Sequence, residues 1–477
     1  MTTPTPAAPA RRTVAIVMAA GLGTRMKSAT PKVLHRICGR PLVEWVIDAA
    51  VEATGAKPVV VYSPATDAIR DAVAALAETA LQDVPRGTGD AVRAGLAAIA
   101  DDVDEVLVLS GDVPLVRAEL LTALLEARRM DQAALALVAV DAIDPARLGR
   151  VVRNEAGTVE RIVEVKDATD EELGISEINA GLYAFEAAWL RRRIGDLRTS
   201  PATGEIYLTE LVELARADGR LVGALDVEDD GRLMGINDHT ELARAEWDMR
   251  VEINDRLMRA GVTMLDPSTA YIDHGVALAE DVTLEPNVIL RGKTVIGRGT
   301  RIGAGSQIVD STVGEGCVVW ASIVEKSVIE DLATVGPMSH LRPNAHVGRR
   351  SEIGNFAEIK NSVLGEHVRQ HHNSYLGDAD VGRDTNVGAG TITANYDGVR
   401  KFRTTIGEGV FLGVDTMLRA PVTLGDGSKT GAGAVVTRDV PAGKLALGVP
   451  ARIREIRKPE DVAAPATDAP GKEGTVG

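Results

Sequence analysis

Aromatic residues are scarce in this chain, at 3% of its 477 residues, and cysteine is scarcer still, with only Cys38 and Cys317. Two cysteines so far apart make neither a disulfide framework nor a metal-binding cysteine pattern, and a reducing cytoplasm is the expected setting. No run reaches the roughly 18 apolar residues of a membrane-spanning helix. The run Val14–Ala20, which follows Arg11 and Arg12, is too short for that and leads at once into GLGTR. It reads as a first buried strand rather than a secretory leader. Positive charge is also in deficit: 53 Lys and Arg against 68 Asp and Glu leave a net −15. That balance excludes a broad nucleic-acid footprint and attraction to anionic membranes, but not a local basic pocket for phosphates.

What is present is a globular composition, 45% hydrophobic and 25% charged, at a length that implies two or three domains. Residues 1–12 are rich in Pro, Ala and Thr, and residues 458–477 are equally featureless; both are expected to be disordered. From 13 to 237, aliphatic runs (TVAIVM, Val59–Tyr62, Val106–Leu109) alternate with helical patterns such as Leu42–Ala53 and Thr66–Leu81. Such alternation predicts a parallel α/β sheet. A linker helix is expected over 238–262, capped by Asp238 with Glu241 in capping-box position. Leu242, Ala245, Met249, Ile253 and Leu257 would form its stripe, and Gly261 would end it.

The first half carries a phosphate-binding signature. MAAGLGTRM follows the first strand directly, so glycine-rich backbone can approach a phosphate, and Arg25 and Lys32 (in PKVLH) bring two cations to the same place. LSGDVPL ends the third strand, which puts Asp112 at the carboxyl edge of the sheet, where ligands of open α/β sheets bind. A carboxylate beside triphosphate oxygens suits magnesium.

From 263 to 457 the pattern changes. Ile323, Ile329, Val335, Leu341, Val347, Ile353 and Ile359 stand six residues apart, and Ile406, Leu412, Leu418 and Leu424 repeat the spacing. A period of six is not helical; it predicts a solenoid whose aliphatic side chains point inward. The repeat cannot be followed past Val436. It slips by one residue between Ile359 and Leu364 and again between Leu376 and Val381, and in between Gln370 occupies an aliphatic position. The register is lost after Val387 until Ile406. Polar residues at repeat positions mark a site grafted on a scaffold. His367, His371 and His372 in this segment are open to three readings: a metal pair at i, i+4, a general base, or surface histidines without a role. On an extended segment, His371 and His372 would face opposite sides and reach different pockets.

The order GLGTRM, PKVLH, QDVPRGTGDA, GDVPL, GR, EVKDAT, EINAG, GIN resembles the sugar-1-phosphate nucleotidyltransferases. It is most similar to the bifunctional family that combines UDP-N-acetylglucosamine pyrophosphorylase with glucosamine-1-phosphate N-acetyltransferase. The resemblance runs from about Thr13 to Arg457. It implies a Rossmann-like nucleotidyltransferase domain (GT-A-like), a linker helix, and a left-handed parallel β-helix of hexapeptide repeats that assembles as a homotrimer. The implied enzyme makes UDP-N-acetylglucosamine, a cell-envelope precursor, from sugar phosphates, acetyl-CoA and UTP. In the first half, Met18, Ala19, Ala20 and Gly21 would line the nucleotide, with Ser110 and Gly111 alongside. Arg25 and Lys32 would neutralise pyrophosphate, and Gln82, Gly87 and Thr88 would read uracil. Asp112 and Asn237 would hold magnesium, while Gly149, Glu164 and Asn179 would hold the N-acetylglucosamine.

In the second half the resemblance makes His372 the base, oriented by Glu358. Arg342 and Lys360 would bind the sugar phosphate, and Tyr375 and Asn386 the sugar. Ala389, Asn395, Tyr396, Val414 and Ala432 would meet acetyl-CoA. Two positions depart from the family: Val414 stands where Ser is common, and Gly448 where an Arg commonly precedes Val-Pro. Arg452 and Arg454 are nearby charges. Two rival readings are a nucleotidyltransferase with a passive repeat tail, and a non-catalytic regulatory subunit. The set Arg342, Lys360, His372, Tyr375 and Asn386, which a passive solenoid does not need, speaks against the first. Intact Arg25, Lys32 and Asp112 speak against the second.

Overall fold

A computed structural model describes residues 11–145, 148–201 and 203–455. Residues 1–10 of the expected disordered start and the whole expected tail, 458–477, lie outside the described residues, as do 456 and 457 at the end of the expected repeat domain. Arg11 and Arg12, expected to belong to the disordered start, are held: the Arg12 amide donates to Asp104 Oδ2 at 2.9 Å. The chain divides into two compact units, Met1–Arg250 and Val251–Gly477.

The first unit is a nine-stranded sheet. Its main order is Val222–Glu228, Leu135–Asp141, Glu177–Glu186, Glu105–Ser110, Thr13–Met18, Val59–Tyr62, Glu78–Leu81. Alternate residues face opposite sides, and both sides are covered, which is why these strands read as continuous aliphatic runs. Ile16, Val61 and Val108 pack with the helices Thr88–Ala97 and Glu210–Ala217. Val17, Val60 and Leu109 pack with Leu42–Thr54 and Ala118–Met130 on the other side. The expected parallel sheet is corrected: Glu177–Glu186 runs antiparallel to both neighbours of the main order, and the two strands off that order, Arg150–Arg153 and Val159–Val163, also pair antiparallel. The expected helix over Thr66–Leu81 is also corrected. It shrinks to Ala68–Val73, and Glu78–Leu81 becomes a strand that pairs the open edge of Val59–Tyr62. The unpaired backbone groups of that edge outweigh local helix propensity.

The helix His239–Arg259 has Asp238 at its start, accepting from the amides of Thr240 and Glu241 at 2.8 and 2.9 Å. Ala245, Met249, Ile253 and Leu257 are buried, and Gly261 closes the helix at φ +98°. The boundary between the two units falls inside this helix, not at its ends.

The second unit is a three-sided coil of parallel strands. Up to Val435–Val436 each strand after the first three pairs with the third one before it, and the three sheets so built hold 12, 10 and 9 strands. This arrangement is consistent with a left-handed β-helix of hexapeptide repeats. One side stacks Leu284, Ile302, Val319, Val335, Ile353, Gln370, Val387 and Leu412 inward, and every member is buried. Ile323 corrects the expected repeat: it is 40% exposed, and Val324 fills the interior. The coil therefore takes a five-residue side there, as it does at Ile359–Leu364 and Leu376–Val381. Each short side turns on a residue at φ 44–50°: Ala321, Lys326, Asn361 and Asp378 are examples. Past Val436 the coil continues through Lys444–Leu447, which pairs with Lys429–Thr430, and closes with the antiparallel strand Arg452–Glu455.

A buried charge cluster ties the first sheet to its helices. Glu105 is fully buried, accepts from Thr13 Oγ1 at 3.0 Å, and is bonded by both Arg128 and Arg129. Burial, the largest single influence, pushes its carboxyl pKa up. The hydrogen bonds and charges of Arg129 and Arg128 together outweigh burial and hold it at about 2. A depressed folded-state pKa stabilises the fold above the ordinary value of 4.5, and that stabilisation is lost as pH falls toward 2. Glu105→Gln should lower stability at neutral pH by about 3–5 kcal/mol. It should also flatten the fall of the unfolding midpoint between these pH values, as followed by circular dichroism. An unchanged acid slope would show that the cluster is not responsible for it.

Candidate functional sites

The first site lies at the carboxyl ends of Thr13–Met18 and Glu105–Ser110. Gly111 NH donates to the Met18 carbonyl at 2.9 Å, locking the two loops side by side. After Gly21 the chain turns through Gly23 at φ +57°, where an added Cβ would lie 2.6 Å from Lys32 Cβ. The glycine therefore lets Lys32 pack against the loop. The Lys32 ammonium forms an ion pair with Asp112 and donates to Asn237 Oδ1 at 3.2 Å. Arg25 donates to the same Asn237 oxygen at 2.7 Å, and Ser110 Oγ to Asp112 Oδ1 at 2.6 Å. Arg25, Lys32, Asp112 and Asn237, far apart in sequence, thus form one cluster of two cations around two hard oxygen donors.

Two cavities meet at this cluster. One, of about 590 Å³, is lined by Met18–Thr24, Lys32, Gln82, Gly87, Thr88, Ser110, Asp112 and Glu164. Gln82 is buried with its amide held by the Gly87 carbonyl and Asp90 at 3.2 and 3.0 Å. The other cavity, of about 450 Å³, is lined by Arg25, Asp112, Gly149, Glu164, Asn179 and Asn237 among others. Ser110, Asp112 and Glu164 belong to both. Burial raises the Glu164 carboxyl pKa, partly offset by a hydrogen bond from Thr209.

Asn179 is fixed at both ends of its amide. Its oxygen accepts from Gly181 NH at 3.1 Å, and its nitrogen donates to the Tyr183 hydroxyl at 2.5 Å. Gly181, at φ +73°, makes the strand irregularity that brings Asn179 and Tyr183 together. Tyr183 escaped the sequence reading because a regular strand would not bulge between these two positions.

The second site lies on the coil. His372, Ala389, Val414 and Ala432 each stand two residues after an inward position (Gln370, Val387, Leu412, Thr430), so they occupy one corner in four successive coils. A cavity of about 630 Å³ runs along that corner and is also lined by His371 and Asn386. Both histidines therefore line one cavity, which corrects the expectation that they face different pockets. Residues 371–373 turn a corner and are not extended. They still differ, since His371 Nε2 is paired with Glu352 at 2.7 Å. Among the described residues no hydrogen bond or ion pair to the His372 ring is found. His367 sits on another corner at φ +56°, 3.4 Å from Asp384.

Glu358, expected to orient His372, instead accepts from Arg342 at 2.7 Å. Glu358 and Tyr375 are register partners on adjacent coils. Lys401 and Arg342 depress the Lys360 ammonium pKa, Lys401 more strongly, so three cations converge there. Lys401 was not singled out in the sequence, although its charge in the NYDGVRK loop is a visible signal. That loop folds back through a Tyr396–Lys401 bridge, and Asn395 donates to Asp378. Val414 is half exposed in the cavity. Gly448 follows the strand Lys444–Leu447, and Arg452 lies on the strand antiparallel to it.

Comparison with known proteins agrees with this division. A family model described as "MobA-like NTP transferase domain" matches residues 15–167, one described as "GlmU-like, C-terminal hexapeptide" matches 292–399, and "Bacterial transferase hexapeptide (six repeats)" matches 403–438. A relative from Pelobacter propionicus, named "Bifunctional protein GlmU", is 45% identical over 91% of this chain and 95% of its own length. Relatives of the same name from Kineococcus radiotolerans (43% identical, 98% of this chain, 97% of theirs) and Caldanaerobacter subterraneus (40%, 93% and 96%) match as fully.

The loop geometry yields a test. Gly23→Ala should push Lys32 off Asp112 and weaken nucleoside triphosphate binding by about tenfold or more, on the order of one charge-assisted contact. Calorimetric titration would read it, and wild-type affinity would show that the loop has room the geometry denies.

Proposed function

The chain belongs to the family of the bifunctional protein GlmU, and from that premise we propose that it makes UDP-N-acetylglucosamine in two transfers. The coil acetylates glucosamine 1-phosphate with acetyl-CoA. The α/β unit then joins the resulting N-acetylglucosamine 1-phosphate to the uridylyl group of UTP and releases pyrophosphate.

For uridylyl transfer, the paired cavities supply the reading. The larger, with Gln82, Gly87 and Thr88, suits the nucleotide; the smaller, with Gly149, Glu164 and Asn179, suits the sugar. The cluster between them is where the sugar phosphate would attack the α-phosphorus in line as pyrophosphate leaves. Such a reaction needs positioning and charge neutralisation more than a base. Lys32 and Arg25 are placed to follow the departing phosphates. The Asp112 carboxylate and Asn237 amide oxygen are hard donors that already attract two cations in this structure, Lys32 and Arg25. That donor set fits magnesium, which would neutralise phosphate charge when bound. With the metal in place, Lys32 would be free to turn to the phosphates.

For acetyl transfer, the observation that carries a second activity over a passive tail is the presence of both a cation cluster and a corner cavity on neighbouring coils. Arg342, Lys360 and Lys401 suit the sugar phosphate, with Glu358 holding Arg342 toward it. Tyr375 and Asn386 would meet the sugar. Ala389, Val414 and Ala432 would line the path of acetyl-CoA, closed by Asn395 and Tyr396. His372, whose ring meets the His371 ring edge-on and has no hydrogen bond or ion pair among the described residues, would take the proton as the amine attacks the thioester carbonyl, forming the amide and releasing the thiol. No helix among the described residues is long and apolar enough to cross a membrane, and soluble sugar phosphates as substrates favour the cytoplasm. Trp320, Met338 and Phe356 are exposed along the coil surface at 53%, 59% and 64%. They are apolar area for a partner to cover, which supports a homotrimer.

Two measurements test this. His372→Ala should slow acetyl transfer by about 10²–10⁴-fold and leave uridylyl transfer intact, and Asp112→Ala should do the reverse. Equal loss of both activities in either folded variant would contradict the assignment. Light scattering should give about three times 50.3 kDa; a monomer at micromolar concentration would count against the trimer.

A further inference from the structure

From Leu284 to Leu412 the stack that contains Ile353 and Val387 turns aliphatic side chains inward, except for Gln370 between those two, which is 0% exposed; the next polar member, Thr430, comes only after Leu412. A buried amide without full hydrogen bonding is destabilising, so an aliphatic residue would be the stable choice here. Gln370 is in fact under-satisfied: its Oε1 has no partner among the described residues. Its Nε2, however, donates to Ser374 Oγ at 2.9 Å, and Ser374 Oγ donates to the His372 carbonyl at 2.8 Å. The side chain thus reaches along the inside of the corner and holds, through one hydroxyl, the backbone of the residue that faces the cavity outside.

An earlier coil shows what is particular here. Ser322 occupies the same corner and also donates to the carbonyl two residues before it, Trp320 O, at 2.7 Å. The acceptor side of its hydroxyl is taken by the Ser339 amide of the next coil, at 3.2 Å. At Ser374 that inter-coil contact is replaced by the Gln370 amide. Ser374 is therefore oriented from within its own coil. Gln370 is anchored in turn, its carbonyl accepting from Gly354 NH at 2.8 Å while His371 O accepts from Asn355 NH at 3.1 Å.

We propose that Gln370 and Ser374 are positioning residues for acetyl transfer, an internal brace that sets the backbone of His372 and so aims its ring along the corner cavity. The proposal rests on the reading of His372 as the base. It accounts for a polar residue kept in an apolar stack at a stability cost. A brace of this kind acts on the rate of the chemical step, since a base displaced by about 1 Å loses on the order of tenfold to a hundredfold. Substrate affinity, set by Arg342, Lys360 and the corner alanines, should not follow.

Gln370→Leu restores the apolar stack. It should unfold at the same or a higher temperature, keep KM for acetyl-CoA and glucosamine 1-phosphate within about twofold, and lose about ten- to a hundredfold in acetyl-transfer kcat. Ser374→Ala should show the same kcat loss with KM unchanged, and Ser374→Thr, which keeps the hydroxyl, should recover most of it. Uridylyl transfer in each variant reports on integrity of the chain. A merely structural role would move the unfolding temperature and leave kcat alone. His372→Ala, assayed in parallel, separates the two ideas. If it is crippled while Gln370→Leu and Ser374→Ala keep wild-type kcat, the brace is wrong. If His372→Ala is itself unaffected, the base assignment fails, and the brace with it.

Discussion

Each side of a three-sided coil turns one principal side chain inward, with a second, often small, buried residue two positions before it, such as Ala333 before Val335 and Ser351 before Ile353, and nearly everything in the second unit depends on that constraint. The inward place must be filled to keep a close-packed interior, and the neighbouring residues must then turn a corner. Corners of six-residue sides fall three residues past the inward one, at glycine or at residues such as Leu332, Asn344, Phe356 and Asp384 in the left-handed region. Corners of the five-residue sides fall one residue sooner. The fold therefore decides, by counting from each inward residue, which side chains lie at a corner and which on a flat face. His372, Ala389, Val414 and Ala432 share a corner because they share a count. His367 belongs to a different corner for the same reason.

In the first unit the corresponding constraint is the sheet edge. Parallel strands deliver their following loops to one end, and Gly111 clamps two of those loops together through the Met18 carbonyl. The result is a place where Lys32, Asp112, Arg25 and Asn237 converge. Asp112 Oδ2 and Asn237 Oδ1 each already have a cation partner, while Asp112 Oδ1 accepts from the Ser110 hydroxyl. The same cations are therefore the groups best placed to answer new negative charge arriving at the site.

Much of this was legible in the sequence, for reasons that differ by residue. The strand Thr13–Met18 and the repeats announced themselves through periodicity, because burial on two faces or at one inward place leaves a pattern. Asp112 and Lys32 were legible because chemistry at a strand end needs those residue types. What was not legible depends on geometry that no local pattern carries. Glu78–Leu81 looks helical alone and becomes a strand because an open sheet edge needs it. Ile323 matches the six-residue spacing, yet Val324 is inside, since two aliphatic neighbours cannot tell the reader which one faces in. Tyr183 required a bulge, Lys401 a loop that folds back, and the pairing of Glu358 with Arg342 a register between coils.

The shared corner also has a metrical meaning. Successive strands in a sheet are about 4.8 Å apart, so the three steps from His372 to Ala432 measure about 14 Å, fixed by backbone hydrogen bonds rather than by side-chain packing. On the proposed reading, the corner would act as a graduated scale on which the reacting end of a long, thin acyl carrier and its far end lie a whole number of coils apart. Its length cannot drift through small shifts; it changes only by whole coils, and inserting one within these four would carry the distal contact a full step away from the histidine. On that reading, a coil added or removed within this interval would change the reach, while coils that carry no site residue could vary in number without altering it.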